Sequence, residues 1–124
     1  MLSKSKIVAL LVKKGTFCEN EKIDELAARH LMGWAGDGIF FVLRGVNPRD
    51  YTECVMPSKR LKRWPIILGF GGGGGSADAF GRTIVDGLHR CAVANHRGIN
   101  SLPAYVPCDA NGRLVNEDEF WAKF

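Results

Sequence analysis

Apart from glycine, the sequence is sparing with the residues that most readily place a protein. Its 124 residues include only five prolines, three methionines and three histidines. The four cysteines, Cys18, Cys54, Cys91 and Cys108, form no Cys-x-x-Cys pair. Their wide spacing argues for reduced thiols packed as small hydrophobes rather than a disulfide framework. No stretch approaches the ~20 apolar residues needed to cross a bilayer. The run from Ile7 to Val12 is closed by Lys13 and Lys14 and is too short for the apolar region of a signal peptide. The expected location is the cytoplasm, with no membrane partner.

What remains is the composition of one globular domain spanning 1–124, long enough to bury a real core. The formal net charge of +4 is unevenly spread. The first seventy residues hold twelve Lys/Arg against seven Asp/Glu, and the rest hold five against six. The basic excess therefore belongs to the first half and points to an acidic partner, a protein or a nucleic acid.

The periodicities predict an α+β fold: a short mixed or antiparallel sheet packed by two to three helices. Residues 3–14 suit a helix capped by Ser3 or Ser5, or equally a strand. A helix is predicted from about Glu21 to Met32, with Ile23, Leu26, Ala27 and Leu31 on its apolar face and Gly33 ending it. Residues 39–45 read as a buried strand. Asn47-Pro48 opens a short helix running to Met56, and Ile66 to Phe70 form another strand. Ser76 or Asp78 caps a helix carrying a stripe of Phe80, Ile84, Val85, Leu88 and Cys91. Pro103 and Pro107 bracket an edge-like strand, residues 109–112 make a turn, and Asn116 caps a last acidic turn with Phe120 and Trp121. No internal repeat or heptad pattern emerges.

Five consecutive glycines, 71–75, admit three readings. Ahead of a helix, Gly73, Gly74, Gly75 and Ser76 offer backbone amides to a phosphate. Residues 73–79 (GGGSADA) resemble the glycine-rich phosphate loop of the galactokinase, homoserine kinase and mevalonate kinase group. That resemblance implies a phosphate or magnesium contact at Ser76, but the chain lacks the group's length, its opening strand and its C-terminal glycine motif. There is also no Gly-Lys-Ser/Thr ending of the nucleotide-triphosphatase kind. Residues 71–76 equally match an engineered flexible linker, spanning about 13 Å, or a natural loop.

The second feature is Lys59, Arg60, Lys62 and Arg63 with Trp64 beside them, a cluster able to neutralise phosphates and stack a base. Arg44 and Arg49 extend it. As a solvated basic turn with Leu61 and Trp64 packed inward, the same segment suits an acidic protein surface. The two opening helical segments resemble the start of a winged helix-turn-helix, but a strand follows where the recognition helix should stand. His89, Cys91, His96 and Cys108 match no structural zinc spacing, and spacing supports neither Cys91 with His96 nor Cys54 with His30 as a nucleophile–base pair. No catalytic residue, cofactor or metal is assigned.

Residues 23–34 (IDELAARHLMGW) resemble the opening of a family of short phage and prophage proteins of α/β sandwich type. The likeness covers twelve residues, through Met32-Gly33-Trp34. It implies an amphipathic helix with Trp34 folded back on the core, and a mobile-element setting in which small domains bind host proteins. The reading as a whole is a non-enzymatic binding protein with a basic surface. Its alternatives are a nucleic-acid-binding domain using 59–64 and a phosphate or nucleotide binder using 71–79. Its oligomeric state is left open.

Overall fold

Ser3 opens the first helix: its hydroxyl accepts the Lys6 amide at 3.3 Å, and α1 runs over Lys4–Val12 with Ile7 and Leu10 buried three positions apart. The computed structural model describes residues 1–12, 23–34, 38–53, 65–71 and 75–123. Asp24 caps the second helix by accepting the Ala27 amide at 2.7 Å, and α2 continues over Glu25–Trp34. It runs through Gly33 and one residue further. Its buried stripe is Ile23, Ala27, Ala28 and Leu31, while Leu26, expected on that face, is 60% exposed. Leu26 stands 100° round from Ala27, and the face that meets α1 and the sheet is the narrower one.

Four strands form one mixed sheet in the order β1-β4-β2-β3. β1 (Phe40–Val46) runs antiparallel to β4 (Leu102–Cys108), β4 parallel to β2 (Ile66–Gly69), and β2 antiparallel to β3 (Thr83–Asp86). The third and fourth helices are α3, Leu88–His96, and the short α4, Glu117–Trp121. The chain is thus a small single α+β domain. Side chains alternate between two cores. Phe41, Ile67 and Tyr105 face Ile7, Leu31 and Phe120 on one side; Val46, Ile66, Leu68, Ile84, Ala104 and Val106 face Tyr51 and Cys91 on the other. Because both faces are covered, β2 is buried at every position and reads as an unbroken apolar run. Asn116 caps α4 as expected, setting Phe120 against Phe70 at 5.0 Å and Trp34 at 5.2 Å. Among the described residues no helix is long and apolar enough to cross a membrane.

Several elements depart from the sequence reading. β1 is an edge strand, buried at Phe41 and Val46 but exposed from Leu43 to Gly45. The helix after Asn47 is a 3-10 helix of three residues, Pro48–Asp50; residues 54–56 lie outside the described ones. Conversely, β4 is central and contains both prolines. Phe41 exchanges both main-chain bonds with Leu2, so the even positions of β1 and β4 bond each other and the odd positions of β4 face away from β1. The Val115 amide reaching the Pro107 carbonyl confirms that orientation. β2 pairs with Ala104 and Tyr105, so Pro103 and Pro107 turn their missing N–H to that side beyond the paired residues.

The predicted helix over Asp78 to Cys91 is not formed. Asp78 Oδ1 accepts the amides of Phe80 and Arg82 at 2.9 and 3.0 Å, which ties residues 78–82 into a turn. β3 follows. Gly87 then takes a left-handed conformation (φ 109°) with Ile66 so close that a Cβ would stand 2.6 Å from its side chain. Only after it does α3 begin.

Candidate functional site

Arginine bookkeeping separates structure from surface. Arg82, Arg90 and Arg113 each bond an aspartate four residues earlier, Asp78 at 2.7 Å, Asp86 at 2.9 Å and Asp109 at 3.2 Å. Arg29 pairs likewise with Glu25 on the exposed face of α2. Arg44 and Arg49 are both exposed, and among the described residues neither forms an ion pair. Arg44 bonds the carbonyl of its neighbour Leu43. Arg49 belongs to the 3-10 helix that follows β1. The other members of the expected basic site, Lys59, Arg60, Lys62, Arg63 and Trp64, lie outside the described residues.

Between Arg44 and Arg49 the chain turns a corner that the reading of the sequence overlooked. A cavity of about 240 Å³ opens there, walled by the end of β1, the 3-10 helix and the 78–82 turn. At its floor Asp78 Oδ2 accepts the Tyr51 hydroxyl at 2.6 Å and Arg82 Nε at 2.7 Å. The Asp78 and Arg82 side chains are each 7% exposed. Burial, then the bond to Asp78, pushes the Tyr51 hydroxyl well above its ordinary pKa. The Phe80 ring lies over the Arg82 guanidinium, 4.8 Å from centroid to Cζ.

The signal that could have revealed this corner is a repeat. Asp78-Ala79-Phe80-Gly81-Arg82 and Asp109-Ala110-Asn111-Gly112-Arg113 share the pattern D-A-x-G-R. The two make the same bonds: aspartate amide to arginine carbonyl, glycine amide to aspartate carbonyl, and aspartate carboxylate to two amides and the arginine Nε. They differ in setting. The second turn is exposed, and Arg113 Nη2 also bonds Glu119 at 2.6 Å. Its backbone and arginine bonds hold the Asp109 pKa below the usual carboxylate value. In the first turn Arg82 Nη1 is buried and, among the described residues, has no acceptor.

Of the glycine site, Gly75 and Ser76 are described and Gly73 and Gly74 are not. No helix starts behind them. The Ser76 amide bonds the Tyr51 carbonyl, and its hydroxyl donates to the Asp50 carbonyl at 3.0 Å, so Ser76 fastens the loop to the corner. Gly75 and Ser76 do share a second cavity, about 460 Å³, with Thr52, Glu53 and the first turn of α3. Cys91 and Cys108 are buried, and burial foremost raises each thiol from 9.0 to about 11. Both are protonated at neutral pH and are poor nucleophiles. Among the described residues no group of three or more side chains could hold a metal ion.

The fold defines a small α+β domain, with exposed Arg44 and Arg49 on either side of the corner that ends its edge strand. No family model, no curated protein and no solved structure matches the chain.

Proposed function

We propose that this protein is a non-enzymatic binding module that engages an acidic protein segment along the free edge of β1 and the corner beyond it. The observation that carries the reading is the pairing of charges: Arg44 and Arg49 have no carboxylate among the described residues, whereas Arg82, Arg90 and Arg113 each have one. The edge between them is exposed over Leu43–Gly45. Its odd positions point away from β4, in line with the two bonds that Leu2 already makes at Phe41. An extended acidic segment would continue that row with main-chain bonds at Leu43 and Gly45 and charge contacts at the two arginines. The likeness of residues 23–34 to short phage proteins supports a mobile-element setting, with a host protein as the source of the segment.

The test is fluorescence anisotropy with an extended Asp/Glu-rich peptide and, in parallel, a single-stranded oligonucleotide. The peptide should bind with an affinity that falls as salt rises. Arg44→Glu/Arg49→Glu should weaken binding by at least about tenfold without lowering the melting temperature, and reversing Lys59, Arg60, Lys62 and Arg63 as well should weaken it further. Retention of the oligonucleotide but not the peptide would transfer the function to nucleic-acid binding. Peptide binding untouched by the Arg44/Arg49 reversal would overturn the reading.

A further inference from the structure

Building on that reading, we infer that the 240 Å³ corner cavity takes a carboxylate of the bound acidic segment, with Arg82 as its donor. Four observations converge on Arg82. The first is position: its amide and Nε are both fixed on Asp78, and it forms part of the cavity wall. The second is unspent capacity. Nη1 is buried with no acceptor among the described residues, a state that costs free energy and that a delivered acceptor would relieve.

The third is that the neighbours are already committed. Asp78 accepts two amides, the Tyr51 hydroxyl and Arg82 Nε, so neither Asp78 nor Tyr51 competes for the ligand. The fourth comes from the fold's own copy of the motif. The D-A-x-G-R turn at 109–113 makes the same bonds, and there a terminal guanidinium nitrogen takes the Glu119 carboxylate at 2.6 Å. The chemistry that completes one turn identifies what the other lacks.

Charge decides how the carboxylate binds best. Asp78 neutralises Arg82, and Asp50 lines the same cavity, so a free anion such as acetate gains little from long-range attraction and fills the site only at high concentration. A carboxylate on a chain already held along β1 arrives at high effective concentration, and Arg44 and Arg49 adjoin the wall residues Gly45 and Asp50 in the chain. It must also move part of the wall, because Nη1 is closed to water. Phe80, stacked on the guanidinium and 40% exposed, has solvent to move into.

The test reads the arginine directly. Side-chain 15N spectra of the protein should show the Arg82 Nη signals shifting and sharpening on titration with the acidic peptide, and shifting saturably with acetate alone. Ala79 is exposed and lines the cavity. Ala79→Glu should supply the carboxylate from within the chain, shift Arg82 without ligand, and weaken the peptide by about tenfold, while Ala79→Gln should do neither. Arg82 signals unmoved by saturating peptide, with binding still dependent on Arg44 and Arg49, would remove the anchor and leave the edge reading intact. If the peptide does not bind at all, acetate decides: a saturable Arg82 shift that Ala79→Glu abolishes upholds the site, and silence overturns it.

Discussion

The twin turns give a prediction with its own control. In Asp78→Ala, four hydrogen bonds vanish at once, from Tyr51 Oη, Arg82 Nε and the amides of Phe80 and Arg82. The Arg82 guanidinium, 7% exposed, is then a buried charge without a counter-ion. Removing one partner of a buried pair costs about 3–5 kcal/mol, roughly a third to a half of the stability of a small domain. In urea that loss should lower the unfolding midpoint by about 2 M. Asp109→Ala removes the three matching bonds, from Arg113 Nε and the amides of Asn111 and Arg113, in the exposed copy, where Arg113 is 67% exposed and keeps Glu119. Water replaces what is lost there, so its effect should be a small fraction of the first. Equilibrium urea unfolding of both variants, followed by far-UV circular dichroism, measures the ratio. A third variant locates the cause: Asp78→Ala with Arg82→Met should be more stable than Asp78→Ala alone, because the stranded charge is gone. Equal losses at 78 and 109, or a double variant weaker than the single, would refute burial of the ion pair as the deciding term.

Alkaline pH should unfold the protein early. Cys91 and Cys108 ionise near 9.0 when unfolded but only near 11 when folded, so their contribution is full below pH 9 and falls by about 2–3 kcal/mol per thiol as pH rises to 11. A urea series across that window should steepen there, and Cys91→Ala/Cys108→Ala should flatten it. Glycine substitutions should split by site. Gly33→Ala, inside α2 with nothing within 4 Å of the new Cβ, should gain about 0.5–1 kcal/mol. Gly75→Ala, where the Cβ would collide with the Tyr51 carbonyl at a left-handed φ of 83°, should lose more than about 1 kcal/mol, both read by thermal denaturation.

Elements decided by local chemistry were legible in the sequence, and those decided by neighbours were not. The helix read from about Glu21 to Met32, which the structure has over Glu25–Trp34 because the Asp24 carboxylate caps it, the strand at Ile66 and the cap at Asn116 follow from periodicity and capping within a few residues. The spacing of Phe80, Ile84, Leu88 and Cys91 also fits a helix. It was defeated by one side chain, Asp78, which claims two amides, and by one backbone angle, at Gly87. Phe40 to Val46 are apolar enough for a central strand, yet the sheet order makes them an edge. Pro103 and Pro107 suggested an edge, yet they lie in the centre because their missing donors point where no bond is needed. Composition cannot carry that directional information. In the site, Arg44 and Arg49 stood out as charges, whereas Asp78 and Arg82 became visible only as one of two copies of a motif.

The pairing of arginines nevertheless follows a rule written in the sequence. Where the residue four earlier is acidic, as at Glu25, Asp78, Asp86 and Asp109, the arginine is held by it. Where that position holds Phe40, Gly45 or Val93, the arginines at 44, 49 and 97 form no ion pair among the described residues. The net charge of each half therefore understates their difference. Arg82, Arg90 and Arg113 of the second half hold turns and α3 in place, whereas Arg44 and Arg49 of the first form no ion pair among the described residues. Arg60 and Arg63, outside the described residues, have Met56 and Lys59 four positions earlier. Neither position is acidic, so reversing Arg60 and Arg63 together with Lys59 and Lys62 tests the proposed contact with an acidic segment without breaking an i,i+4 pair.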